Sequence, residues 1–136
     1  MNDTTSSRRS YSIPAVASDT SVAPSPASLP HHRLIAYSVA LELLSAVRAA
    51  SVRDATLRDQ ALRSAKSACL NTAEGAGRVT RADKGRSFTI ARAEACEAAA
   101  AVEIAAACGD AAPGAAGEVN RLADRLVALL TGLIHR

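Results

Sequence analysis

Val119, Leu122, Leu126, Leu129 and Leu133 follow one another at alternating steps of three and four. That rhythm lines side chains along one side of an α-helix and suits no strand, whose side chains change face every second residue. A second stripe, Val127, Leu130 and Ile134, lies beside the first. Two adjacent stripes exceed what a bundle asks of a surface helix. Either this helix is wedged deeply between neighbours, or its second stripe meets another subunit.

Three earlier segments share the helical period, and no segment shows a convincing period of two, so the expected class is all-α. Leu34, Tyr37, Leu41 and Leu44, extended by Val47, predict a first helix over 34–50. A second is expected over 56–74, with Leu57, Ala61, Ala65, Ala68 and Thr72 inward and Leu62 and Cys69 at their flanks. Gly75 is expected to stop it, because glycine accepts the left-handed conformation common at helix C-termini. Thr80 with Asp83 three residues on reads as a capping box opening a third helix, which ends at Gly109. Its apolar stripe is Phe88, Ala91, Ala95, Ala98, Val102 and Ala105. At 1.5 Å per residue it is a rod of roughly 42 Å. Gly85 inside it costs about 1 kcal/mol relative to alanine, which predicts a close packing contact there. "DAAPGAAG" from Asp110 is the next loop. Four helices on short connections imply an antiparallel up-down-up-down four-helix bundle over 34–136. No fixed-period repeat suggests a solenoid.

Residues 1–33 read differently. They are rich in Ser, Thr and Pro and carry no apolar period, the composition of a disordered tail. "SRR" at Ser7–Arg9 is not followed by the apolar core an export signal needs. The histidines of "PHHR" at the tail's end have no third ligand nearby and are expected to be solvated rather than metal-bound.

The interior must be lean. Hydrophobic residues make up 49% of the 136-residue chain, but alanine supplies much of that share, and the only aromatics are Tyr11, Tyr37 and Phe88. Alanine removes little area from water, which favours stabilisation by a partner surface or self-assembly. The three cysteines, Cys69, Cys96 and Cys108, form no C-x-x-C pair; all are expected to be buried thiols in a reducing cytoplasm. No apolar run approaches a membrane span.

Charge is unevenly spread. From Arg48 to Arg92 there are ten basic and four acidic residues, a balance of +6; from Ala93 to Glu118 there are five acids and no base, a balance of −5. Such a layout serves either an anionic ligand or the acidic region of a neighbouring copy. The basic share is densest at "NTAEGAGRVTRADKG", Asn71–Gly85. Asn71 and Glu74 lie three apart on one helical face, and Arg78, Arg81, Lys84 and Arg86 follow around the turn. Two readings stay open. Asn71, Glu74 and Arg78 fix one another as a small polar site beside a phosphate-binding cluster. Alternatively, Asn71 and Glu74 bond helix-end backbone groups while Glu97 pairs with an arginine across the bundle.

At these residues the chain resembles the four-helix-bundle proteins encoded within intervening sequences of bacterial 23S rRNA genes. "LRDQALRSAKSACLNTAEGAGR" at Leu57–Arg78 is similar to the family's Asn-x-Ala-Glu-Gly signature. "YSVALELL" at Tyr37–Leu44 and "GRSFTIARAEACE" at Gly85–Glu97 are similar to its flanking blocks. The matching motif residues are Asn71, Glu74, Gly75, Arg78, Arg86, Phe88 and Glu97, within a resemblance covering about 34–135. It implies an antiparallel bundle, commonly a homopentamer ring. It also implies kinship with the accessory protein of diversity-generating retroelements, which engages a reverse transcriptase and nucleic acid. No enzymatic activity or cofactor is implied.

Two functions are expected from these residues. One is electrostatic association with structured RNA or DNA through Arg58, Arg63, Lys66, Arg78, Arg81, Lys84 and Arg92, aligned on the second and third helices. Sequence-specific single-strand reading is not expected, since stacking aromatics are scarce. The other is a protein-binding scaffold ring with no direct nucleic-acid contact. An enzyme is not expected. Glu74, Glu94, Glu97 and Glu103 offer carboxylates, but di-iron bundles need Glu-x-x-His pairs and the helices hold no internal histidine. "GAG" at Gly75–Gly77 follows a helix rather than a strand, so it is no phosphate-cradling loop. No Ser-His-Asp set is evident.

Overall fold

Helix starts are chosen by local chemistry. Asp54 accepts a hydrogen bond from the Leu57 amide at 3.0 Å, and Thr80 accepts one from the Asp83 amide at 3.1 Å. Each satisfies an amide that the first helical turn leaves without an intrahelical partner. The computed structural model describes residues 28–136, and its element order follows these caps. A single 3-10 turn at Pro30–Arg33 precedes α1 (Ile35–Ala49), α2 (Ala55–Gly77), α3 (Arg81–Ala107) and α4 (Ala115–Ile134). No strand occurs among the described residues. Most of the expected tail, residues 1–27, lies outside the described residues, while its last four form the 3-10 turn.

Neighbouring helices run in opposite directions. Gln60 meets Glu97 and Gly75 meets Phe88 across α2 and α3, while Glu103 meets Asn120 and Arg92 meets Thr131 across α3 and α4. The most extensive interface joins α2 to α3. Its buried residues include Ala61, Ala65 and Ala68 facing Ala91, Ala95 and Ala98, all wholly buried. Side chains this small let two helix axes approach closely, so backbone packing replaces the area that large side chains would bury.

The helices are rotated from the expected faces in two places. On α1 the buried set is Ala36, Val39, Ala40, Leu43 and Val47, whereas Leu41 is 42% exposed and Leu34, Tyr37 and Leu44 are half-buried. The leucine pattern missed the two alanines that bring α1 against its neighbours. On α4, Leu130 of the second stripe is wholly buried, while Leu129 and Leu133 of the first are half-buried. A straight helix drifts from a strict heptad, so the inward row crosses from one stripe to the other along its length. The loop before α4 is also shorter than expected, since Ala115–Gly117 are already helical.

The glycines trade roles. Helix α2 does not stop at Gly75 but runs through it to Gly77. Gly75 is buried against Phe88, and a Cβ there would lie 2.5 Å from the ring's Cε1. Gly85, where a close contact was expected, has nothing within 4 Å. The cysteines divide as well. Only Cys69 is buried; Cys96 and Cys108 are exposed, contrary to the expected burial of all three. The Cys69 thiol donates to the Ala40 carbonyl at 3.3 Å, linking α2 to α1.

Candidate nucleic-acid interface

The turn between α2 and α3 is held by fewer polar contacts than its residue types suggest. Arg78 pairs with Glu74 one turn below it, an exposed pair at the end of α2. That hydrogen bond first, and the Glu74 charge second, push the Arg78 guanidinium up from its ordinary range. It is a cation at any pH in either case. Asn71 does not join them. Its amide donates to the Ser67 carbonyl at 2.9 Å and the Ser67 hydroxyl at 3.1 Å within α2. The helix end is instead served by Lys84, whose ammonium reaches the Ala76 carbonyl at 3.0 Å and the Gly75 carbonyl at 3.4 Å. A lysine near a helix C-terminus answers both the orphan carbonyls and the negative end of the dipole.

Glu97 also takes a different partner from the arginine expected across the bundle. It accepts from the Gln60 side-chain amide, and the Gln60 oxygen accepts from Arg63 at 3.0 Å. The result is a relay across the outer edge of α2 and α3. Gln60 was not among the candidate residues. Its spacing of three from Arg63 was the available signal.

The seven cations expected on one surface are distributed over four. Arg63 and Lys66 lie on the solvent face of α2 and are exposed. Arg58 turns toward the α1–α2 loop, donating to the Arg53 carbonyl at 3.4 Å and standing 3.9 Å from Asp59. Arg92 turns toward α4, where it donates to the Thr131 hydroxyl at 2.8 Å. Arg81 and Lys84 line a cleft at the end of the bundle, with Arg78 exposed on the turn beside it. Arg86, matched to the family motif rather than to the charged surface, is exposed, and Phe88 is buried over Gly75.

What unites the basic region is missing counter-charge. Ion pairs within 4.0 Å use Arg53, Arg58, Arg78 and Arg121. Among the described residues, Arg63, Lys66, Arg81, Lys84, Arg86 and Arg92 stand in no such pair. Unneutralised cations on a rigid helical surface favour a polyanion. Stacking groups are scarce on α2 and α3: among the described residues Phe88 is buried, Tyr37 is half-buried on α1, and the His31 and His32 rings pack with each other and with Tyr37 at the 3-10 turn. No group of three His, Cys, Asp or Glu side chains among the described residues is placed to hold a metal ion. No described helix is long and apolar enough to cross a membrane.

A family model described as "23S rRNA-intervening sequence protein" matches residues 32–132. No curated protein matches the chain.

Proposed function

The chain belongs to the 23S rRNA-intervening sequence protein family, and from that premise we propose that it is a non-enzymatic binding module whose ligand is structured nucleic acid or a ribonucleoprotein. The single observation behind this reading is the set of six cations between Arg63 and Arg92 that face no carboxylate partner among the described residues. Helical presentation on α2 and α3 without an exposed aromatic ring on either helix suits phosphate geometry better than base edges, so duplex or folded RNA is the favoured form. A cytoplasmic setting belongs to the proposal, because Cys96 and Cys108 are exposed free thiols.

Affinity for a duplex and for a folded RNA at two salt concentrations tests the reading. Binding should weaken steeply as salt rises, and Arg63→Glu with Lys66→Glu should weaken it by about tenfold or more and flatten the salt dependence. Unchanged binding by that double variant removes the α2 surface from the proposal.

A second reading, a self-assembled protein-binding scaffold, has its own observation. Leu70, Ile90 and Ile104 are exposed by 70%, 43% and 53% on α2 and α3. Apolar side chains of this size suit a protein contact. A ring of copies, pentameric by resemblance, would cover them. Light scattering after size exclusion decides this point: a stable monomer at micromolar concentration eliminates the ring.

A further inference from the structure

The end of the bundle where α2 turns into α3 holds a cleft of about 450 Å³, lined from the 3-10 turn, α1's approach, the α2–α3 turn, α3 and the end of α4. That size falls in the range of roughly 300–1,000 Å³ typical of small-molecule sites. Leu34, Ala76, Phe88 and Leu133 supply its apolar wall, and Arg81, Lys84 and Arg136 its charge. No acidic side chain among the described residues lines it. Two other grooves differ: the one between α1 and α4 carries Glu42 and Glu118, and the one between α3 and α4 carries Glu103 and Asp124. The hollow beside the α1–α2 loop is also free of acids and carries Arg48 and Arg58, but at about 300 Å³ it is smaller. A neighbouring hollow of about 270 Å³ shares Leu34, Leu133 and Arg136 with the cleft and extends past Ile35, Ala36 and Leu129, with Arg33 at its edge. The aliphatic surface is therefore elongated and bordered by cations.

We propose that this cleft binds a single-chain amphiphilic carboxylate, a fatty-acid-like anion. Its carboxylate sits at Arg81 and Lys84, and its acyl chain lies along Leu34 and Leu133. Lys84 gives two of its three donors to the α2 carbonyls, which fixes its ammonium at the cleft and leaves one donor for a ligand. Arg81 is exposed and has no carboxylate partner among the described residues. The apolar wall supplies the affinity and the cations select a charged head over a neutral one. Arg81 and Lys84 are shared with the nucleic-acid reading, but the ligand is not, and Arg63 and Lys66 take no part.

Calorimetric titration with monomeric dodecanoate, alongside backbone amide shifts, tests the site. Saturable one-to-one binding is expected, with shifts centred on Val79, Arg81 and Phe88, and dodecanol should bind more weakly by about tenfold. Arg81→Gln, an exposed change that leaves packing intact, should weaken dodecanoate by a similar factor. Ala76→Trp, which fills the wall, should abolish binding while circular dichroism stays helical. Arg63→Glu with Lys66→Glu should leave dodecanoate binding unchanged, which separates this site from the polyanion surface. Equal affinity for dodecanol, an unaffected Arg81→Gln, or binding only to phosphatidylglycerol vesicles and not to the free acid overturns the proposal.

Discussion

The two ends of this bundle are built from the same four helices and behave as opposites. At one end the α1–α2 and α3–α4 loops bond each other. The Ala112 amide donates to the Ala50 carbonyl at 2.8 Å, and the Arg53 amide donates to the Asp110 carbonyl at 2.9 Å. Val52 is buried beneath them, and the Arg53 guanidinium holds the Gly109 carbonyl and stands 3.4 Å from Asp110. At the other end, among the described residues, the α2–α3 turn makes no backbone hydrogen bond to another loop. Val79 stands 91% exposed, the Arg78 amide and the Lys84 ammonium answer the last α2 carbonyls, and the cleft lies open beside them. Loops that satisfy each other's backbone seal a core. A turn that leaves its neighbours unpaired keeps space and charge for a ligand.

Mutation at the open end should cost most where that end joins the core. Phe88→Ala removes the one buried aromatic ring among the described residues and should lower unfolding free energy by about 3–5 kcal/mol in urea titration. A loss no larger than that of an exposed substitution would mean that the open end is not packed through this ring. Gly75→Ala forces the ring to move. Overpacking of roughly 1–3 kcal/mol, partly offset by about 1 kcal/mol of helix propensity, should leave a net destabilisation smaller than that of Phe88→Ala.

The contrast sharpens without mutation as well. Amide exchange should be slow at Arg53 and Ala112, whose N–H groups cross between loops, and fast at Val79. Equal exchange at the two ends would contradict the seal. Arg53→Ala should cost little, about 0.5 kcal/mol, because its ion pair is largely in solvent.

At neutral pH the smallest effect of all is that of Cys69. Burial pushes its thiol up from 9.0 to about 11, so the folded chain holds that proton more tightly than the unfolded one. The associated stability is complete below pH 9 and is lost as pH rises toward 11. The stability difference between the protein and Cys69→Ala should therefore be flat at neutral pH and change only above 9.0. Thiol reagents at mildly alkaline pH should label Cys96 and Cys108 first.

Much of the fold was legible because helical period is a local property. Val119, Leu122 and Leu126 announced α4, Thr80 announced the start of α3, and the absence of period two excluded a sheet. The candidate site was legible only as a density of charge. Which cation faces which element depends on helix rotation, and in α1 that rotation was set by Ala36 and Ala40 rather than by leucines. The partners of Glu97 and Lys84 were hidden for the same reason, since Gln60 is distant in sequence from Glu97 and the Ala76 carbonyl lies on the other helix of the α2–α3 turn from Lys84.

Chain order alone was enough to establish four helices, a lean alanine interior and a basic middle followed by an acidic stretch, because spacing and composition carry that information residue by residue. Packing settled that Gly75 rather than Gly85 takes the close contact, that one cysteine rather than three is buried, and that the basic residues divide among four places. The physical reason is common to all three. A methyl group, a glycine or a thiol fits either side of a helix in isolation, and only the distance to the neighbouring helix makes one side the inside.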